Sequence, residues 1–268
     1  QRAIKEFKPD YIFHLAAQSF PKASFDMPNV TFDTNISGTY RLLDTVVKSN
    51  LNPVIHVCSS SEVFGRVSKE KLPINEDCSF HPASPYAISK VGTDLIGRFF
   101  FEAYNLKILT TRMFTHTGPR RTDFFAESSF AKQIAMIENN KNNNTVYVGN
   151  LKSLRTIADV RDAVRAYYML VTEKPKFGEV YNIGGNKTMS IEEILNYLIS
   201  ISKKKNKIKI KVDKERLRPI DADLQIPDVS KFKNHTGWEP KISYKKTLKD
   251  LLDYWREKVK SEGIFFKR

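Results

Sequence analysis

Residues 53–65 read Pro53-Val54-Ile55-His56-Val57-Cys58-Ser59-Ser60-Ser61-Glu62-Val63-Phe64-Gly65. The apolar run over 53–57 has the length and β-branched content of a buried strand, and it stops at three serines and a carboxylate. Working outward, residues 11–16 form a second strand-like run, and residues 29–49 between the two carry apolar side chains at helical period (Ile36, Tyr40, Leu43, Val47). Downstream, 86–104 is helical in pattern and 107–112 strand-like again. Strands alternating with helices predict βαβ units and a mostly parallel, doubly wound α/β sheet. Ligands of such sheets bind at the carboxyl ends of the strands. Three segments sit there: Ala16-Ala17-Gln18-Ser19, Ser59-Ser60-Ser61-Glu62 and Thr115-His116-Thr117-Gly118-Pro119-Arg120-Arg121.

The second half is less regular. Helices are expected over 124–139, 160–172 and 247–258, and a strand over 179–183 ending at Gly184-Gly185. Ser190-Ile191-Glu192-Glu193 has the spacing of a capping box, in which Ser190 and Glu193 satisfy each other's unpaired amides, opening a helix to about residue 200. Neither internal repeats nor a long linker break the pattern.

Composition excludes several classes. With 41% hydrophobic and 28% charged residues over 268 positions, the chain is neither collagenous nor largely disordered. It contains no run of about 18 apolar residues, so no membrane span is expected. Cys58 and Cys78 are too few for a disulfide framework or a zinc ribbon, no metal site is expected, and a reduced, cytoplasmic setting fits. The net charge is +14. Half of this excess lies in residues 201–220, with nine Lys/Arg against two Asp/Glu. There, Lys207-Ile208-Lys209-Ile210-Lys211-Val212 alternates as in a half-exposed strand with its lysines in water. With no aromatic side chains interleaved, a nucleic-acid platform is not expected.

The chemistry centres on Tyr86-Ala87-Ile88-Ser89-Lys90. Ser84 suits the N-cap and Pro85 the first helical position, so Tyr86 and Lys90, four apart, share a helix face. An ammonium beside a phenol favours the phenolate and makes a general base near neutral pH. The spacing alone also fits a surface tyrosine beside a solvated lysine. The strand-end serines give it context: a hydroxyl from Ser60 would bond the substrate oxygen that Tyr86 deprotonates, and Glu62 would add a second acid/base.

Together with His14-Leu15-Ala16-Ala17-Gln18-Ser19, Val148-Gly149-Asn150-Leu151, Arg155, Asp159-Val160-Arg161-Asp162, Arg218-Pro219 and Thr236-Gly237-Trp238-Glu239-Pro240, these segments resemble the extended short-chain dehydrogenase/reductase family. Within it, they resemble the GDP-mannose 4,6-dehydratase branch, over nearly the whole chain. The resemblance implies Ser60, Glu62, Tyr86 and Lys90 as catalytic residues. It places NADP, or NAD, against Leu15, Ala16, Ala17, Gln18, Ser19, Tyr86, Lys90, His116 and Arg121. It assigns Ser61, Arg155 and Arg218 to a GDP-sugar substrate, the arginines facing its diphosphate. It further implies a dinucleotide-binding Rossmann domain over 1–120 and a mainly substrate-binding domain over 121–268, with a return to the Rossmann sheet near 145–185. A homodimer or homotetramer is implied as well.

The family's opening strand and glycine-rich turn, which cradle a dinucleotide pyrophosphate, have no counterpart here. On the order of 50–60 residues are therefore expected before Gln1. The segment Arg218-Pro219-Ile220-Asp221-Ala222-Asp223 also departs from the branch's usual pattern, which leaves the hexose open. The expected reaction is conversion of GDP-mannose to GDP-4-keto-6-deoxymannose by internal hydride transfer and loss of water. The alternatives are a GDP-4-keto-6-deoxymannose reductase, a 4,6-dehydratase of a GDP-linked heptose or N-acetylglucosamine, and, more remotely, a non-catalytic basic binding module.

Overall fold

A computed structural model describes residues 2–217, 219–220 and 222–261. Arg218 and Asp221 lie outside the described residues. The chain forms two compact units: the first comprises residues 1–114, 163–184 and 220–239, the second 115–162, 185–219 and 240–268.

The first unit is built on a four-stranded parallel sheet. Its strands, β1 (Tyr11–His14), β2 (Val54–Cys58), β3 (Lys107–Met113) and β4 (Val180–Ile183), lie side by side in that order. β2 and β3 are flanked on both sides and are buried nearly throughout, so that even His56, Thr110, Thr111 and Arg112 lie inside. β1 pairs with β2, and among the described residues Tyr11 and Phe13 stay exposed.

The predicted helix over 29–49 is present, but not as a uniform α-helix. Pro28–Phe32 is followed by a π-helical stretch, Asp33–Ser37, and then by α1 (Gly38–Lys48). α2 (Pro85–Tyr104) begins as its sequence dictates: the Ser84 hydroxyl accepts the Ala87 N–H at 3.0 Å, Pro85 occupies the first turn, and Asn105 closes the far end in the left-handed region at φ 54°. Its buried face carries Tyr86, Lys90, Asp94, Gly97 and Phe100. Leu43 and Val46 of α1, Ile55 and Val57 of β2, Phe100 of α2 and Ile108 of β3 form one core cluster.

The second unit surrounds its own core with three helices, α3 (Ala126–Glu138), α4 (Ile191–Ser200) and α5 (Tyr244–Ser261). The capping box is formed, with Ser190 Oγ accepting the Glu193 N–H at 3.1 Å and Glu193 Oε2 accepting the Ser190 N–H at 2.7 Å. Trp255 Nε1 donates to Ser128 Oγ, joining α5 to α3 through the core. The lysine-rich strand, Lys209–Val212, pairs with Thr145–Val148 in a two-stranded parallel sheet. The expectation of one exposed face needs correction: all four residues are exposed, Ile210 and Val212 included. Val146 and Val148 of the partner strand fill the core, whereas Ile210 and Val212 on the outer strand beside them stay uncovered.

Candidate active site

The first unit gathers its chemistry at the carboxyl ends of β1 and β2 and on the first turns of α2. After β2 the chain enters a 3-10 turn, Ser61–Phe64, with Ser60 as its N-cap. Ser60 Oγ accepts the Glu62 N–H at 3.2 Å. This is the local satisfaction that a strand-end serine commonly finds, and it leaves the hydroxyl proton to donate elsewhere. Ser59, Ser60 and Ser61 are buried, while Glu62 is half-buried. Gly65 ends the turn at φ 52°, where a Cβ would stand 1.7 Å from the His81 carbonyl oxygen, so only glycine fits.

Tyr86 and Lys90 both face inward, at 8% and 6% exposure. The Tyr86 N–H donates to Ser24 Oγ at 3.0 Å, fixing the start of the helix. Lys90 Nζ donates to the Cys58 carbonyl at 2.7 Å, directly before the three serines, and Ser59 Oγ donates to the Lys90 carbonyl at 3.4 Å. The helix of Tyr86 is thus tied to the serine-bearing strand end from both sides of one residue. Burial pushes the Lys90 ammonium below its ordinary pKa. Its charge is felt by two histidines. His14 is lowered by burial and then by Lys90, and His56, fully buried, is brought to about 3 by burial first and Lys90 second.

Asn35 organises the site, and the sequence reading missed it. It sits in the π-helical stretch, 1% exposed. Its Oδ1 accepts the Gln18 N–H at 2.8 Å, and its Nδ2 donates to the Gln18 carbonyl and to Ser89 Oγ. Its own carbonyl accepts from Thr39 Oγ1 and Thr93 Oγ1. One side chain therefore pins the loop after β1 and the helix carrying Tyr86. Asn35 stands beside the apolar period, between Thr31 and Thr39 at helical spacing, and a run of three polar residues on one helix face is the signal the sequence offered. Of the loop after β1, Leu15, Ala16 and Ser19 are exposed and Ala17 and Gln18 half-buried. Gln18 Nε2 donates to the Phe20 carbonyl, and its buried Oε1 has no hydrogen-bond partner among the described residues.

The remaining predicted residues lie in the second unit. His116, half-buried, is in the short strand His116–Thr117, paired with Ala158–Asp159. Arg121 follows the Gly118-Pro119-Arg120 turn, in which Arg120 adopts φ 73°, and its guanidinium stacks 3.3 Å from the Phe125 ring centroid. Arg155 is half-buried in the strand Leu154–Thr156, antiparallel to Thr188–Ser190, and donates to the Leu154 carbonyl.

A parallel sheet with polar loops at its strand ends and a tyrosine–lysine pair on the following helix defines a Rossmann-like α/β enzyme of the short-chain dehydrogenase/reductase kind. More narrowly, the profile of the family described as GDP-mannose 4,6 dehydratase matches residues 1–251, and the chain belongs to that family. The GDP-6-deoxy-D-mannose reductase of Pseudomonas aeruginosa is 30% identical over 254 residues, covering 95% of this chain and 83% of its own. The human GDP-mannose 4,6 dehydratase is 30% identical over 268 residues, covering 94% and 71%. Among solved structures, the P. aeruginosa protein RMD complexed with NADPH superposes with TM-score 0.85 at 29% identity, covering 94% of this chain and 82% of its own. The UDP-glucose 4-epimerase of Thermotoga maritima with UDP-glucose superposes with TM-score 0.84 at 28% identity, covering 96% and 80%.

Proposed function

We propose that this enzyme is a nucleotide-sugar 4,6-dehydratase that converts GDP-mannose to GDP-4-keto-6-deoxymannose. The observation that carries this reading is the half-buried Glu62, placed on a turn capped by Ser60, next to the strand end that holds Lys90. Tyr86 takes the proton of the C4 hydroxyl while the Ser60 hydroxyl bonds the same oxygen. The Lys90 ammonium, buried and fixed on the Cys58 carbonyl, favours the tyrosinate electrostatically. Once C4 is a ketone, the C5 proton is acidic, and Glu62 removes it and delivers it to the C6 hydroxyl, which departs as water and leaves a C5–C6 double bond. Ser61, Arg155 and Arg218 take the GDP-sugar in this proposal, by resemblance.

A nicotinamide dinucleotide, NADP or NAD, supplies hydride acceptance at C4 and hydride return at C6. The residues present suit such a group: the orphan Gln18 Oε1 is a buried acceptor after β1, and buried polar atoms of this kind call for a donor. The NADPH bound to RMD also supports this choice of cofactor. Leu15, Ala16, Ala17, Gln18, Ser19, Tyr86, Lys90, His116 and Arg121 are the residues we assign to it.

A second reading has its own support. The P. aeruginosa reductase aligns over 254 positions with 95% of this chain, almost without insertions, whereas the human dehydratase needs 268 positions for 94%. A reductase would use the same Tyr86 as an acid toward a 4-ketone. Incubation of the full chain with GDP-mannose and catalytic NADP, without reductant, separates the two. The dehydratase yields the 4-keto-6-deoxy sugar, and Glu62→Gln abolishes it. A protein inert toward GDP-mannose that reduces the 4-keto sugar with NADPH is the reductase.

We further propose that the protein self-associates through α2. Ile88, Leu95 and Phe99 each leave about half of their surface exposed at 48%, and their spacing of seven and four places them on one helix face. The two free cysteines are consistent with a reduced compartment such as the cytoplasm.

A further inference from the structure

Behind the Glu62 turn lies a buried ionic cluster that the proposed reaction does not use. Arg112 of β3 and Asp94 of α2 form a bidentate pair, with Nε to Oδ2 at 2.8 Å and Nη2 to Oδ1 at 3.1 Å, the side chains 8% and 3% exposed. The third arm, Nη1, donates to the Glu76 carbonyl at 2.7 Å. Glu76 Oε1 in turn accepts the Asn182 N–H of β4, and Asn182 Nδ2 donates to the Ile74 carbonyl. The guanidinium also lies over two rings, 5.3 Å from the centroid of Phe64 and 4.7 Å from that of Phe80.

Both ends of this cluster lead to the site. Asp94 follows Lys90 by four residues and Tyr86 by eight, on the same buried face of α2. Phe64 is the last residue of the 3-10 turn and follows Glu62 by two. A planar, permanently charged fork can hold a carboxylate edge-on and meet aromatic faces at once, which an ammonium cannot. We infer that Arg112 is a positioning residue that sets Glu62 relative to Tyr86, by locking the Phe64 end of the turn to the Asp94 position of the base-bearing helix.

This inference rests on the reading of Glu62 as the C5 base. That step can be isolated by incubating the full chain with GDP-4-keto-6-deoxymannose in D2O and following loss of the C5 proton signal by NMR, a step that a dehydratase catalyses and a plain 4-keto reductase does not need. Glu62→Gln is expected to reduce exchange to background. Arg112→Lys keeps the charge opposite Asp94 but loses the fork and the ring contacts. It is expected to slow exchange by about ten- to a hundredfold, the scale of a misplacement near 1 Å, with half-saturation by the nucleotide sugar unchanged. Because a buried ion pair is altered, Arg112→Lys is paired with two milder variants. Phe80→Leu removes one aromatic face and slows exchange severalfold, and Phe80→Tyr restores the face and the rate. If Glu62→Gln abolishes exchange while Arg112→Lys and Phe80→Leu exchange at the wild-type rate, the positioning role is overturned and Glu62 stands. If Glu62→Gln exchanges normally, the assignment of the base falls and the positioning role with it.

Discussion

His56 shows how a single side chain records the electrostatics of the site. Its Nε2 lies 2.8 Å from Thr111 Oγ1 and its ring centroid 4.5 Å from that of Tyr167, fully buried beneath the strand end that carries the serines. Burial and the nearby Lys90 ammonium bring its pKa from 6.5 to about 3. The unfolded chain therefore takes up a proton below 6.5 that the folded chain refuses until about 3, so stability falls with decreasing pH through that window. The slope approaches about 1.4 kcal/mol per pH unit. His56→Gln removes this slope. Thermal midpoints measured from pH 7 to 4 should fall less steeply in the variant than in the wild type, and parallel curves would refute the buried neutral histidine. Lys90 and Tyr86 could be read from the sequence because their relation is local, one helical turn. The relation of Arg112 to Glu62 could not, because it runs through Asp94, eighteen residues before Arg112, and through two phenylalanine rings.

At the scale of elements, the helix of Tyr86 was legible down to its cap, since Ser84, Pro85 and the apolar period all act within a few residues of each other. The interruption at Asp33–Ser37 was not, because a π turn exists to satisfy partners that only the fold supplies. Asn35 meets Gln18, seventeen residues away, and Ser89, fifty-four away. Asn35→Ala leaves the buried Gln18 amide groups without their partner and frees Ser89. A loss of about 1–3 kcal/mol for each unsatisfied group is expected, read as a lower midpoint in urea unfolding with an unchanged slope. A variant as stable as the wild type would show that the π turn is not what holds the loop after β1.

For the molecule as a whole, the charge of +14 narrows to particular places. Much of it lies in the exposed segment around Lys209–Val212, which is the outer strand of its pair, while Val146 and Val148 of the inner strand fill the core. Alternation of strand and helix made the parallel sheet legible, because each element's period is written in its own residues. The proposed self-association belongs to this scale too. Leu95→Glu places a carboxylate in the middle of the α2 stripe, and light scattering should then give an oligomer for the wild type and a monomer for the variant, with the circular dichroism unchanged. Retention of the wild-type mass would remove α2 from the interface.

In the proposed reaction Tyr86 and Glu62 carry one sugar through oxidation, elimination and return of the same hydrogen. GDP-mannose deuterated at C4 tests it in a single turnover. A 4-keto-6-deoxy product with the deuterium at C6 is expected. A product that keeps its deuterium at C4, or substrate recovered unchanged in the presence of NADP, would contradict it.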